Sequence, residues 1–150
     1  MNEGSEWSDS PSQTWTLYFD GSKSKEGSGV RCILIDQKGK CHFLSCRLEF
    51  ECTNNTVEYE ALVQGLKKSI DLGIKELKVF GVSDIIVRQV RNIIHCNLPH
   101  LKNYQQEVHR LIESFDAFNI TSIPREKNIL ADSLATTASK LSPLEYYEAS

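Results

Sequence analysis

The chain has 150 residues and a formal net charge of −3, enough for one domain with a proper core and too few for two comfortable ones. Apolar residues make up 40% and charged residues 25%, the balance of an ordinary globular protein, and no apolar run reaches membrane-spanning length. The slight negative charge argues against a polyanion binder that works through bulk positive charge, while leaving room for local phosphate contacts. With neither the basic nor the apolar region of a secretory signal at its N-terminus, the chain is expected to be intracellular, cytoplasmic or nuclear.

The five cysteines, Cys32, Cys41, Cys46, Cys52 and Cys96, form no Cys-x-x-Cys pair, and the four histidines supply no zinc-ligand spacing. Reduced, mostly buried thiols are expected, and no zinc.

Residues 1–14 are rich in Ser and Glu without periodicity and read as a flexible leader. Trp15–Asp20 has the aromatic and β-branched composition of a buried strand, and it ends on a carboxylate followed by the turn formers Gly21 and Ser22. On this stretch alone Asp20 is either an Asx-turn residue closing a hairpin or an acid with a task. After a Gly/Ser/Lys connection, Val30–Ile35 and Cys41–Leu48 read as two further strands separated by the turn Asp36-Gln37-Lys38-Gly39. The period then changes from two to about 3.6. Thr53-Asn54-Asn55 offers cap residues for a helix that buries Val57, Ala61, Leu62, Gly65, Leu66 and Ser69 and ends at Gly73. A fourth strand over Glu76–Gly81, a short helix over Ser83–Arg91 and a helix opening at Pro99 follow, then a fifth strand over Asn119–Ile123. A last helix is predicted over Asn128–Leu141, and residues 142–150 form an acidic tail. The order is that of an α/β domain in which an antiparallel meander leads into strand–helix alternation, a mixed sheet with helices on both faces.

The informative residues are acids that break the amphipathic pattern. Glu58 aligns with Leu62 and Gly65 at the edge of the apolar helix face, whereas Glu60 aligns with Gln64 and Lys67 on the wet face and reads as a solvated acid. Asp132 borders the buried stripe of the last helix, where it either complements the helix N-terminus or serves a site. Acids from a strand end and two helix starts converging at one end of a sheet would repel one another unless a divalent cation neutralised them. Hard oxygen ligands suit Mg²⁺ or Mn²⁺, and paired ions serve in-line phosphodiester hydrolysis.

Three blocks carry a family resemblance: Phe19-Asp20-Gly21-Ser22, Thr53–Leu62 (with Asn54, Asn55 and Glu58), and Arg125–Ala135 (with Asp132). In this order and spacing the chain resembles type 1 ribonuclease H over residues 15–141. The likeness is greatest to the domains of gypsy-like retrotransposon polyproteins, through Leu72-Gly73-Ile74 and Val87-Arg88-Gln89-Val90 as well. The resemblance implies a three-layer α/β/α fold with a five-stranded mixed sheet, strands 1–3 antiparallel and strands 4 and 5 parallel. It implies endonucleolytic cleavage of the RNA strand of RNA/DNA hybrids by a monomer, in company with other polyprotein domains and without any membrane partner.

It also implies two Mg²⁺ or Mn²⁺ ions held by four acids, of which Asp20, Glu58 and Asp132 carry over. The fourth does not, because Gly81-Val82-Ser83 stands where the family has Gly-Asp-Ser, and at least one ion should be weakened. Asp84 is a poor substitute, since about 100° of rotation per helical residue turns it off the site. Asn54 and Asn55 match positions that contact the hybrid in this family, and Gly21, Ser22 and Arg125 are further candidate substrate-binding residues, Arg125 through its positive charge. Helix capping is the competing reading for the two asparagines, and a solvated turn for Arg125. Two functions therefore stand against each other, an impaired hybrid ribonuclease and a non-catalytic module that keeps the fold for nucleic-acid binding or as a polyprotein spacer. Another nuclease or transposase of the same superfold is disfavoured by the Asn-Asn-x-x-Glu and Arg125–Ala135 blocks.

Overall fold

Alternating apolar positions build most of the sheet seen in the computed structural model, which describes residues 13–25, 27–49, 53–92, 98–128 and 145–149. Its strands are β1 (Thr14–Ser24), β2 (Gly27–Ile35), β3 (Cys41–Leu48), β4 (Glu76–Gly81), β5 (Ala117–Ser122) and β6 (Glu145–Ala149). They lie in the order β5-β4-β1-β2-β3-β6. The first three form an antiparallel meander, and β1, β4 and β5 run parallel. The five-stranded mixed sheet is as the sequence predicts. The sixth strand departs from the acidic tail expected over residues 142–150, for Glu145–Ala149 pairs antiparallel with β3. A sheet edge offers unpaired amides and carbonyls to any extended segment that can reach it, and Glu-Tyr-Tyr-Glu-Ala contains two good strand formers.

The helices are α1 (Asn54–Asp71), α2 (Asp84–Val90) and α3 (Pro99–Ile112). The helix expected over 128–141, with Asp132, lies outside the described residues, apart from a 3₁₀ turn at Arg125–Asn128. Among the described residues no helix is long and apolar enough to cross a membrane. Thr53 caps α1, its Oγ1 accepting the Thr56 N–H at 3.2 Å, so capping falls to neither Asn54 nor Asn55.

α1 lies across β1 and β2 because its small residues let it settle onto the sheet. A Cβ on Gly65 would stand 2.9 Å from Leu17 Cδ2 and 3.1 Å from Cys32 Sγ. Around this seam Leu17, Phe19, Val30, Cys32, Leu34, Leu44, Leu62, Leu66 and Val79 are buried together. The Cys32 thiol donates to the Ala61 carbonyl at 3.1 Å. Burial pushes that thiol far above the ordinary range, against the nearby Arg31 charge that lowers it.

A polar seam ties the three helices. Tyr59 donates to Gln89 Oε1 at 2.7 Å, and Gln105 Nε2 donates to the Gln89 carbonyl at 2.6 Å. Tyr59 and Tyr104 stack with centroids 5.7 Å apart. Glu60 departs from its solvated reading, because the Tyr104 hydroxyl donates to it and it is half-buried.

Candidate active site at the end of the parallel strands

Asp20 does not close a hairpin. β1 runs on through Gly21 and Ser22 to Ser24, and Asp20, Gly21 and Ser22 pair with Arg31, Val30 and Gly29. The connection read between Gly21 and Gly29 is therefore strand, and the chain reverses around residues 24–27, where Gly27 takes φ +128°. Low strand propensity at Gly and Ser is overridden by the continuous ladder with β2.

This extension sets β1 against the start of α1. Gly21 lies so close to α1 that a Cβ there would stand 2.3 Å from Val57 Cγ1 and 2.9 Å from the Val57 carbonyl oxygen. Asp20 and Glu58, each one residue away from that contact, thereby lie where β1 passes the first turns of α1. Asp20 is 1% and Glu58 8% exposed. Asp20 Oδ1 accepts the Gly21 N–H at 2.9 Å. Asn54 and Asn55 precede Glu58 by four and three residues, so the three share a helix face. Asn54 is exposed and Asn55 half-buried, with Ser22 half-buried nearby in sequence to Asp20.

Val82 stands on the other side of Asp20. Phe19 and Gly81 are register partners in the parallel β1–β4 pair, so Asp20 is the next residue along β1 and Val82 the first beyond the end of β4. The half-buried Val82 side chain presents no ligand atom. Asp84 is committed elsewhere: it accepts from Ser122 Oγ at 3.1 Å and pairs with Arg88 at 2.8 Å, turned toward β5 and away from β1. The Ile123 amide donates to the Gly81 carbonyl at 2.9 Å, which holds the turn bearing the exposed Arg125 beside the end of β4.

One residue escaped the sequence reading. Arg31 is fully buried and is the register partner of Asp20 on β2. The signal is a lone cation that interrupts the apolar run Gly29-Val30-Arg31-Cys32-Ile33-Leu34, with no acid among its near neighbours in sequence to suggest a partner.

The donor chemistry can be set against a two-ion site. Asp20 and Glu58 are hard oxygen donors of the right kind. Val82 offers nothing, and a guanidinium is buried in register with the central acid. Among the described residues no group of three or more His, Cys, Asp or Glu is arranged to hold a metal ion. The described residues do not fit a complete two-ion site.

The sequence pattern of the family described as reverse transcriptase-like matches residues 18–138. Ribonuclease HI of Halobacterium salinarum is 31% identical over 123 residues, covering 81% of this chain and 62% of that protein. The bifunctional protein Rv2228c of Mycobacterium tuberculosis is 33% identical over 86 residues, covering 57% of this chain and 24% of that protein. The chain thus spans less than two thirds of the length of these relatives. Among solved structures, RNase H1 of Halobacterium salinarum superposes with a TM-score of 0.80 at 28% identity, covering 85% of this chain and 98% of that one. LC11-RNase H1, solved in complex with an RNA/DNA hybrid, gives a TM-score of 0.76 at 30% identity, covering 84% and 96%. By the family match and this shared fold, the chain belongs to the reverse transcriptase-like family as a type 1 ribonuclease H domain.

Proposed function

We propose that this domain recognises RNA/DNA hybrids as a ribonuclease H of retroelement descent, and that its cleavage of the RNA strand is strongly reduced by Val82. The observation that carries the reading is the Gly21–Val57 contact, which sets β1, with Asp20, against the start of α1, with Asn54, Asn55 and Glu58. LC11-RNase H1, at 30% identity, is solved with an RNA/DNA hybrid, and hybrid recognition is carried over to this chain from there. The retroelement descent rests on the sequence blocks alone.

In this reading the amides of Asn54 and Asn55 donate to phosphate, sugar or base edges across the hybrid, the kind of recognition suited to shape rather than sequence. The Ser22 hydroxyl adds a donor beside Asp20, and Arg125 supplies positive charge toward a phosphate near the end of β4. Divalent ions supply the attacking hydroxide and the stabilisation of the leaving oxygen in such sites. Here Val82 withholds one carboxylate from them.

The test is a hybrid-cleavage assay in Mg²⁺ and Mn²⁺ comparing this chain with its Val82→Asp variant. The variant is expected to be faster by roughly 10² or more, the scale of losing one group that stabilises transition-state charge. Equal rates would overturn the impairment.

A second reading, a module that binds hybrids without cutting them, is favoured by the buried Arg31 next to Asp20. Hybrid binding that persists in EDTA, with no cleavage by either protein, selects it.

A further inference from the structure

Arg31 is 0% exposed, and a guanidinium does not shed its proton in a protein. Its charge therefore resides in the interior, where an ion is costly unless an opposite charge compensates it. The β-ladder identifies the candidates. Asp20 on β1 and Ser45 on β3 are the register partners of Arg31, so the three side chains form a row on one face of the sheet, with paired Cβ atoms about 4.5–5.5 Å apart. Asp20 is 1% and Ser45 0% exposed, and of the two only Asp20 is ionisable; the ladder continues to Glu145 on β6, the register partner of Ser45 and two strands from Arg31. Both Asp20 and Arg31 also act electrostatically on Cys32, with opposite signs. On the β4 side of Asp20, Val82 follows the strand end and brings neither charge nor ligand atom.

We propose that the Arg31 guanidinium is the resident counter-cation of Asp20 and competes with a divalent ion for it. Asp20, though not Glu58, is then charge-compensated with no metal bound. This inference rests on the proposed function only in taking Asp20 as the central acid of the site. It goes beyond it in assigning a missing carboxylate and a buried cation to the same place.

The missing carboxylate and the buried cation act in the same direction. A two-ion centre needs excess negative charge; here one unit is removed at residue 82 and one positive unit stands at residue 31. Restoring the carboxylate alone brings back part of the metal affinity, and removing the guanidinium as well brings back more.

Two measurements on the full chain test this. In EDTA, thermal unfolding of the unsubstituted chain, Asp20→Asn, Arg31→Met and the double variant forms a cycle. Each single change is expected to lower Tm, and the double change to lower it by less than the sum. Additive shifts would overturn the pairing. In calorimetric titration with MnCl₂ and no nucleic acid, Arg31→Met is expected to bind Mn²⁺ at least tenfold more tightly than the unsubstituted chain. Arg31→Lys, which keeps the charge, is expected to stay as weak. Equal Mn²⁺ affinity for Arg31→Met and the unsubstituted chain would count against competition.

Should Arg31→Met fail to fold, Asp20→Asn decides alone. A Tm loss of equal size in EDTA and in Mn²⁺ supports a protein counter-ion; a loss seen only in Mn²⁺ makes the metal the counter-ion and sinks the proposal. None of these readouts uses a hybrid, so absence of hybrid binding would overturn the proposed function without touching this result.

Discussion

Gly21 is where strand and helix approach most closely, and it owes its place to its missing side chain. The atoms that an alanine Cβ would strike include the Val57 carbonyl carbon and oxygen, both at 2.9 Å, and a helix backbone cannot swing aside as a side-chain tip can. Gly21→Ala should therefore destabilise the fold by about 1–3 kcal/mol, the usual scale of overpacking. It should also weaken hybrid binding by moving α1 off β1. Urea unfolding with a parallel binding titration checks both, and an unchanged midpoint would refute the contact. The sequence marked Gly21 as important but for another reason, a turn, because a glycine kept for close approach and one kept for a bend look the same in one dimension. Glu58 was easier. Its i+4 and i+7 neighbours Leu62 and Gly65 are apolar, and its burial follows from helical geometry alone. Glu60 was misread because the Tyr104 hydroxyl that holds it comes from another helix, 44 residues on.

Elements were legible where a period ran long enough. The 3.6 repeat from Val57 to Ser69 marks α1, and Pro99 opens α3 at its first turn as such residues do. What periodicity cannot give is how helices are fastened to one another. Gln89, 7% exposed, serves two of them, accepting from Tyr59 through its side chain and from Gln105 through its carbonyl. Tyr59→Phe deletes the donor and leaves a buried amide oxygen without it, which costs about 1–3 kcal/mol. Thermal melts should show this loss, and it should shrink when Gln89 is already alanine. A loss of the same size in both backgrounds would mean that Tyr59 acts through packing only. Strand ends were the weakest part of the reading. β1 runs four residues past Asp20, to Ser24, because pairing with β2 continues, and pairing is a property of two segments at once.

For the molecule as a whole, the meander and the parallel pair could be ordered from the sequence, since short turns force antiparallel neighbours and a helical crossover permits parallel ones. The sixth strand could not, because edge pairing depends on which segment reaches β3. The burial of Asp20 and Glu58 was legible, whereas that of Arg31 was not, since its ladder partner Asp20 lies on another strand. Cys32 gathers several of these facts in one atom. Its Sγ lies beneath Gly65 and donates to the Ala61 carbonyl, on the strand next to the central one. Burial keeps it protonated, and only the thiolate attacks an alkylating reagent. No small fluctuation can expose it, so α1 must lift from the sheet before it reacts. Site-resolved mass spectrometry during iodoacetamide labelling should find Cys32 modified far more slowly than the half-buried Cys41, by a factor approaching the folding equilibrium constant, roughly 10³–10⁸ for small domains. Similar rates at the two sites would mean that α1 opens locally. The thiol that takes no part in the chemistry of the site thus serves as a clock for the global opening of the protein.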